Sequence, residues 1–317
     1  MNDQPQIQEL PTDFLKRLQL MYGSDSVKIT NCFAKPRATT FRVNTLKADA
    51  SLVEKELSDG GFVTEKYLPI ANSYILRNKG LRDLTETATY QTGKIYVQGL
   101  SSMIPPLVLG PAPGDQVLDI AAAPGSKTTQ MAALMNNQGL ILANDASRVR
   151  LYKLRSNLET QGATNVQVRQ GMGQLLWRDF SGVFDKALVD VPCSMEGRFN
   201  MLKPKTIADW SVFKVKRLVD RQRLLLRTAL SCLRSGGELV YSTCTLSPEE
   251  NEGVIDWLVR REKNRVEVVE IEQFQDVFSS PIMEWQNKQY SSEVGKTRRI
   301  LPSDVLEGFF IAKLRKL

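Results

Sequence analysis

The 317-residue sequence contains no histidine. That absence removes the Ser-His-Asp and Cys-His nucleophile pairs and every zinc site built on imidazole. Cysteine is scarce. Cys32, Cys193, Cys232 and Cys244 are the four, and no two have CxxC spacing, so a four-cysteine metal site is not expected. Proton transfer is left to Asp, Glu, Lys, Cys or Tyr. No apolar run reaches the roughly 18 residues that a membrane helix needs. The start, MNDQPQIQEL, lacks the basic end and apolar centre of a secretion signal. A cytoplasmic location with reduced thiols is the expectation.

What remains is ordinary for a globular chain. Apolar residues make up 42%, and 42 Lys and Arg against 35 Asp and Glu leave a net charge of +7. The length suits about two domains of roughly 150 residues. Residues 1–95 mix short patterns. Thr12–Tyr22 reads as an amphipathic helix through Phe14, Leu15, Leu18 and Met21, and Ser51–Ser58 as another, ended by Gly60-Gly61. Thr40–Asn44 and Tyr74–Arg77 read as short strands. From about residue 110, after the Pro111–Gly114 turn signal, strands and helices alternate. The strands are Gln116–Ile120, Leu140–Asn144, Val166–Gln170, Asp185–Val191, Glu238–Ser242, Val266–Glu270 and Phe309–Leu314. The helices are Thr128–Asn136, Ser147–Thr160, Ala208–Arg234 and Pro248–Arg261. Such alternation predicts a mostly parallel sheet covered on both faces, with ligands at the carboxyl ends of its strands.

The first of these strands runs into Asp119-Ile-Ala-Ala-Ala-Pro-Gly-Ser-Lys127. Small residues there let a ligand approach the backbone, and the next helix offers unpaired N–H groups. It is not a phosphate loop, because GxxxxGK[ST] asks for glycine at 121, which is Ala. GxGxxG is absent too. The second strand ends at Asp145, 20 residues past Gly125, where a carboxylate can accept from both hydroxyls of a ribose. The plain alternative is that Asp145 caps the helix starting near Ser147. A nucleoside without a pyrophosphate loop points to S-adenosylmethionine.

Two later strands end in cysteine, at Val189-Asp190-Val-Pro-Cys193-Ser194 and at Tyr241-Ser-Thr-Cys244-Thr. Neighbouring strands ending this way bring two thiols to the cofactor edge. Cys232 sits in the apolar stripe of a helix and Cys32 also reads as a small buried hydrophobe.

The segments AAAPGSKT, DVPCS and YSTCTLSPEENE, in this order, resemble motifs of the Nop2/Sun family of RNA cytosine-5 methyltransferases. IYVQGLSSM (95–103) and FRVNTLK (41–47) are similar to the same family, and the resemblance covers roughly residues 35–317. It implies a Rossmann-like methyltransferase fold with a mostly parallel seven-stranded sheet (residues 96–317), preceded by a small α+β module (residues 1–95) that binds RNA. It implies S-adenosylmethionine bound by Ala121, Ala122, Ala123, Pro124, Gly125, Ser126, Lys127, Asp145, Arg150 and Asp190.

The chemistry needs a nucleophile, because carbon 5 of cytosine attacks a methyl group only after a thiolate adds to carbon 6. The resemblance assigns that addition to Cys244 and product release to Cys193. It places Lys127 near the nucleophile, where a cation lowers a thiol's pKa, and Asp190 against the base. Two departures stand out. Met172-Gly173 replaces an Asp-Gly pair expected to contact adenine, and Gly99 replaces an acidic residue.

Charge is uneven. Residues 198–227 hold nine basic side chains and two acidic ones, with Lys214, Arg217 and Arg221 on one helix face and Val215, Leu218, Val219, Leu225, Leu226, Ala229 and Leu230 on the buried one. A solvated face is the plain reading; phosphate contact beside an unstacked target base is the functional one. The expected partner is RNA, ribosomal in preference to transfer RNA, with no membrane, no metal and a monomeric chain. An RNA-binding assembly factor with weak or no methylation is the competing reading. A methyltransferase for amino groups is a third, which needs no paired cysteines.

Overall fold

The computed structural model describes residues 8–317. The first seven residues of the expected 1–95 module, and with them most of the start read for a secretion signal, lie outside the described residues. In chain order the elements are α1 (Thr12–Tyr22), α2 (Asp25–Phe33), β1 (Thr40–Val43), α3 (Ala50–Asp59), β2 (Thr64–Lys66), β3 (Ser73–Leu76), α4 (Leu81–Thr85), α5 (Ala88–Gln91) and β4 (Ile95–Val97). Then follow α6 (Leu100–Leu109), β5 (Gln116–Asp119), α7 (Ser126–Leu134), β6 (Leu140–Asp145), α8 (Arg148–Gln161), β7 (Val166–Gln170), α9 (Trp177–Phe180) and β8 (Phe184–Asp190). Last come α10 (Val212–Cys232), β9 (Leu233–Thr243), α11 (Glu252–Arg261), β10 (Val266–Val269), β11 (Glu284–Trp285), β12 (Lys288–Gln289), β13 (Arg298–Ile300) and β14 (Phe309–Lys316).

The large sheet has the order β10-β14-β9-β8-β5-β6-β7. Its five strands from β9 to β7 are parallel, and β14 runs antiparallel between β9 and β10. These are the seven strands expected, joined by an eighth: β13 pairs antiparallel with β14 through only three residues, too short to show a period-2 pattern. Both faces are apolar, as a parallel sheet requires. One face packs Leu118, Leu239 and Tyr241 with α10 and α11; the other packs Val117, Ile141, Leu188 and Val240 with α6 and α7. The chain leaves β5 for β6 on one side and reaches β8 on the other, so the crevice at the β5/β8 carboxyl ends is the topological switch point.

The antiparallel sheet β2-β3-β1-β4 carries its own core of Phe41, Val53, Leu57, Tyr74 and Leu84. Helices α1 and α2 pack elsewhere. Phe14 and Phe33 lie against Phe199, and Phe14 against Trp210 and the cluster that includes Leu246, so the N-terminal pair braces the two cysteine-bearing loops.

Helix α10 starts four residues later than its polarity pattern predicts. Ser211, in extended conformation, accepts from the Lys214 N–H at 3.1 Å and so caps the first turn. Ser211→Ala removes that cap and is expected to cost about 1 kcal/mol, read as a lower midpoint in urea unfolding with an unchanged slope. Within α10, Leu218 is only half-buried and Gln222 is fully buried. The polar residue enters because its amide bridges two loops described below. Helix α11 likewise starts at Glu252 and not at Pro248, since Glu250 and Asn251 turn inward as polar anchors. Cys232 is fully buried, as its stripe requires, but Cys32 is only half-buried, at the end of a helix with Sγ 3.6 Å from the Pro302 carbonyl.

Among the described residues no helix is long and apolar enough to cross a membrane, and no three acidic or cysteine side chains group as a metal site.

Candidate active site

Strand β5 delivers the chain into the 120–125 turn. Ala122 N–H donates to the Asn144 carbonyl (2.8 Å) and Ala123 N–H to Asp145 (3.3 Å), which tie the turn to the end of β6. Gly125 has φ +106°, and a Cβ there would sit 2.7 Å from Leu154. Only glycine allows α8 to pack this close. Asp119 is buried below, accepts from Thr128 Oγ1 at 2.7 Å, and is pushed up to about 7 by burial.

Asp145 is 3% exposed. One oxygen accepts from Ser147 N–H at 2.9 Å, as the capping alternative asks, although the N-cap itself is Ser147. The other lies 3.1 Å from the Arg150 guanidinium, which also donates to the Ala123 carbonyl. That oxygen is therefore held by both Arg150 and the Ala123 N–H.

The ends of β8 and β9 lie side by side, with Asp190 opposite Ser242. Asp190 accepts from Ser242 Oγ (2.8 Å) and from Lys127 Nζ (2.7 Å). Lys127 is 8% exposed; it also donates to Ser102 Oγ (2.9 Å) and sits over the Phe309 ring. Its charge is thus committed to Asp190. The two cysteines meet: Cys193 Sγ is 3.2 Å from Cys244 Sγ. Their hydrogen bond, followed by burial, pushes the Cys193 thiol up. Cys244 is half-buried and reaches the cleft, whereas Cys193 lies behind it.

Glycine makes this convergence possible. Gly197 N–H donates to the Cys244 carbonyl and Gly308 N–H to the Gly197 carbonyl, both at 3.0 Å. A Cβ on Gly197 would lie 2.1 Å from the Gly308 oxygen. The Cys193 loop, the Cys244 loop and the start of β14 are stitched at that point.

A cleft of about 700 Å³ runs between the small sheet and the switch point. Of the residues expected at the site, Ala123, Pro124, Ser126, Lys127, Arg150, Asp190 and Cys244 line it. Ala121 and Ala122 border a smaller hollow of about 30 Å³ next to Lys127 and Asp190, while Gly125, Asp145 and Cys193 support the wall. Other lining groups were not singled out for the site in sequence: Tyr96 from β4, Gln98 and Ser102 lie in the IYVQGLSSM segment, Arg198 opens the basic stretch, Phe309 opens the last strand, and Glu307 had no sequence signal. Arg37 and Arg198 share Glu307 (2.9 and 3.4 Å), leaving one surplus positive charge at the rim where Cys244 opens. Glu307 also explains Gly99: its carboxylate would lie 3.2 Å from a Cβ at that position, filling the space an acidic side chain would need.

Residues 106–315 match the family model described as 16S rRNA methyltransferase RsmB/F. The chain belongs to this RsmB/F, or Sun, family. Members of the Sun family are S-adenosylmethionine-dependent RNA C5-methyltransferases, and this chain is an enzyme of that class. Two relatives bracket it. A tRNA (cytosine(49)-C(5))-methyltransferase of Pyrococcus abyssi is 40% identical over 299 residues, covering 92% of each chain. A ribosomal RNA small subunit methyltransferase F of Shewanella piezotolerans is 34% identical over 290 residues, covering 90% of this chain, which spans 59% of that longer protein. Among solved structures, a Pyrococcus horikoshii methyltransferase homologue superposes with TM-score 0.84 at 35% identity, over 97% of this chain and 95% of that one. NSun6 from Pyrococcus horikoshii, solved with SFG, gives TM-score 0.81 at 25% identity, over 96% and 98%. The Sun-family fold expected from the motifs is therefore the fold present.

Proposed function

We propose that this Sun-family enzyme methylates carbon 5 of a cytosine in RNA through a covalent bond between Cys244 and carbon 6 of the base. The observation that carries the reading is the 3.2 Å approach of the two sulfurs beside a cleft that also holds Asp190 and Lys127. The cofactor fits what is present: a turn of small residues, an acidic group at the end of β6, and a cleft large enough for a nucleoside and a base. When bound, S-adenosylmethionine supplies the electrophilic methyl group.

The residues then have distinct tasks. Cys244 adds to carbon 6, and the electron pair displaced from the C5–C6 bond makes carbon 5 nucleophilic. Asp190, held by Lys127 and Ser242, faces the base edge and accepts from its exocyclic amine, which fixes the ring as charge develops. After methylation the carbon 5 proton passes to water at the open mouth of the cleft, the C5–H electron pair re-forms the C5–C6 double bond, and the bond from Cys244 to carbon 6 breaks with its electron pair returning to the sulfur. Cys193, whose thiol is kept protonated, donates its S–H to the departing Cys244 sulfur. Lys127 was expected to activate the nucleophile; its ion pair with Asp190 gives it the task of orienting that carboxylate, and the shared Arg37–Glu307–Arg198 cluster supplies the positive potential near Cys244.

The N-terminal module, residues 1–95, completes the RNA side, because its Tyr90 and Gln91 line the cleft together with Tyr96, which follows it in the strand Ile95–Val97. Helix α10 adds a second surface. Arg217 and Arg221 are exposed, Lys214 is half-buried, and none of the three pairs with a carboxylate among the described residues, unlike Arg223 and Arg227. Reversing the charge at Arg217 and Arg221 should weaken RNA binding and flatten its log–log salt dependence by about 2. Unchanged binding would reduce this face to solvated surface.

Ribosomal RNA remains the proposed substrate, supported by the family model described as 16S rRNA methyltransferase RsmB/F and by the Shewanella piezotolerans relative. Transfer RNA is the second reading, favoured by the 40% identity to the Pyrococcus abyssi enzyme. Transfer of labelled methyl groups to purified ribosomal and transfer RNA, followed by bisulfite sequencing, separates them. Binding without transfer to either RNA would favour the assembly-factor reading, and label on adenine or protein would overturn the cytosine assignment.

A further inference from the structure

Behind the two sulfurs lie two carboxyl groups that, among the described residues, form no ion pair. Glu250 and Glu196 are both fully buried. Glu250 Oε2 accepts from the Ser194 N–H (3.0 Å) and Gln222 Nε2 (2.7 Å), and its Oε1 contacts Ser194 Oγ. Ser194 Oγ lies 2.7 Å from Thr245 Oγ1, which lies 3.0 Å from Glu196 Oε2. Glu196 is otherwise served by donors: Trp210 Nε1 (2.8 Å), Ser247 Oγ (2.7 Å) and the Leu246 N–H (3.1 Å). The row Glu250–Ser194–Thr245–Glu196 therefore crosses from one cysteine loop to the other. Ser194 follows Cys193 and Thr245 follows Cys244 in the chain.

Counting protons along this row gives a definite answer. Three oxygen–oxygen contacts need three protons, and the two hydroxyls bring two. The third must sit on a carboxyl. Glu196, with four donors pointed at it, is the acceptor end, so the extra proton is on Glu250. Glu250 then donates to Ser194, Ser194 to Thr245 and Thr245 to Glu196.

We propose that Glu250 is a positioning residue that acts as a neutral carboxylic acid, clamping the Cys193 loop to the Cys244 loop through Ser194 and Thr245 so that the two sulfurs stay in contact. Its surroundings agree. Burial first, and then the charge of Glu196, push the Glu250 carboxyl up to about 8. The other titratable or charged groups whose fields reach it are Arg17, Tyr241 and Cys193. Gln222 closes the clamp from α10 by also donating to the Pro192 carbonyl at 2.9 Å, which is why a glutamine occupies the buried stripe of that helix.

The catalytic consequence rests on the covalent reading above, but the spacing of the sulfurs does not, and the test uses the spacing first. Diamide takes two electrons and two protons from two thiols and leaves a disulfide. In the full chain, the rate at which Cys193 and Cys244 become resistant to alkylation, mapped by peptide mass spectrometry, reports how closely the loops are held. Glu250→Gln keeps a donor toward Ser194 and an acceptor toward Gln222, so it should oxidise at the wild-type rate. Glu250→Ala should oxidise at least about tenfold more slowly, the scale of effect expected when reacting groups lose alignment. Ser194→Ala cuts the same row and replaces that variant should Glu250→Ala not fold. If Glu250→Ala, or Ser194→Ala in its place, oxidises like wild type, the clamp is wrong. If Glu250→Gln is as slow as the alanine variant, Glu250 works as a carboxylate and the proton count is wrong.

The second readout is catalytic. Glu250→Ala should accumulate a denaturation-resistant RNA adduct, as Cys193→Ala is expected to, and Glu250→Gln should not. An adduct with Cys193→Ala but none with Glu250→Ala would overturn the positioning role. No adduct with Cys193→Ala itself would overturn the covalent reading and leave the oxidation result to decide the clamp.

Discussion

Cys193→Ala should leave the protein attached to its RNA. In the proposed covalent mechanism the addition of Cys244 to carbon 6 does not need Cys193, so the first half of the reaction should proceed in the variant. The second half does need it. In that mechanism the departing sulfur of Cys244 must gain a proton or a hydrogen bond as its bond to carbon 6 breaks, and Cys193 stands 3.2 Å away with a thiol that this contact, and then burial, pushes up. Loss of a positioned proton donor slows a step by about 10²–10⁴, enough to turn a fleeting intermediate into the dominant species. A denaturing gel should show a shifted, nuclease-sensitive band for Cys193→Ala. It should show none for Cys244→Ala, which should also lose methyl transfer, and none for the double variant. A band with Cys244→Ala and not with Cys193→Ala would exchange the two roles. No band with either would remove covalent catalysis from this site.

The convergence of these cysteines was legible in the chain because each ends a strand of one parallel sheet, and parallel neighbours in register share an edge. The cofactor turn was legible for the same reason, since Ala121–Gly125 follows β5 directly. What escaped were partners supplied from far along the chain. Lys127 was expected beside the nucleophile, yet Asp190, 63 residues along the chain, pairs with it at 2.7 Å. Glu307 and Arg198 reach the cleft from loops whose course has no periodic signature, and Phe309 reaches it from the first residue of β14, where the strand pattern was visible but its place at the cleft was not. Strand β13 is three residues long and exists only because β14 offers it an edge. The helix boundaries missed at α10 and α11 share one cause. Residues Ala208–Trp210 and Pro248–Asn251 have helix-compatible composition, but their polar side chains are spent on buried hydrogen bonds that bind loop to loop, such as Trp210 to Glu196 and Asn251 to Thr243 and Thr245. A local pattern cannot register a partner that tertiary structure supplies.

The most destabilising single change is expected at Arg299, the largest of the fully buried side chains. Its Nε and one amino group donate to the two oxygens of Glu252 at 2.6 Å each, and its other amino group donates to Tyr22 Oη (2.7 Å) and to the Leu246 carbonyl (2.8 Å). Arg299→Met keeps most of the volume but strands the Glu252 charge out of water, which costs about 3–5 kcal/mol. At about 2–4 °C per kcal/mol for a large domain, the melting temperature should fall by about 6–20 °C. Glu252→Leu added to Arg299→Met removes the stranded charge and should recover most of that loss. A single-variant shift under about 2 °C would mean that water reaches the pair. Recovery of melting temperature does not imply recovery of activity. Leu246 is two residues past Cys244, so the guanidinium that β13 carries inward, with a tyrosine from α1 behind it, also pins the loop of the proposed nucleophile. The double variant should melt near the wild-type temperature and still methylate poorly, and a double variant restored in both would confine Arg299 to stability alone.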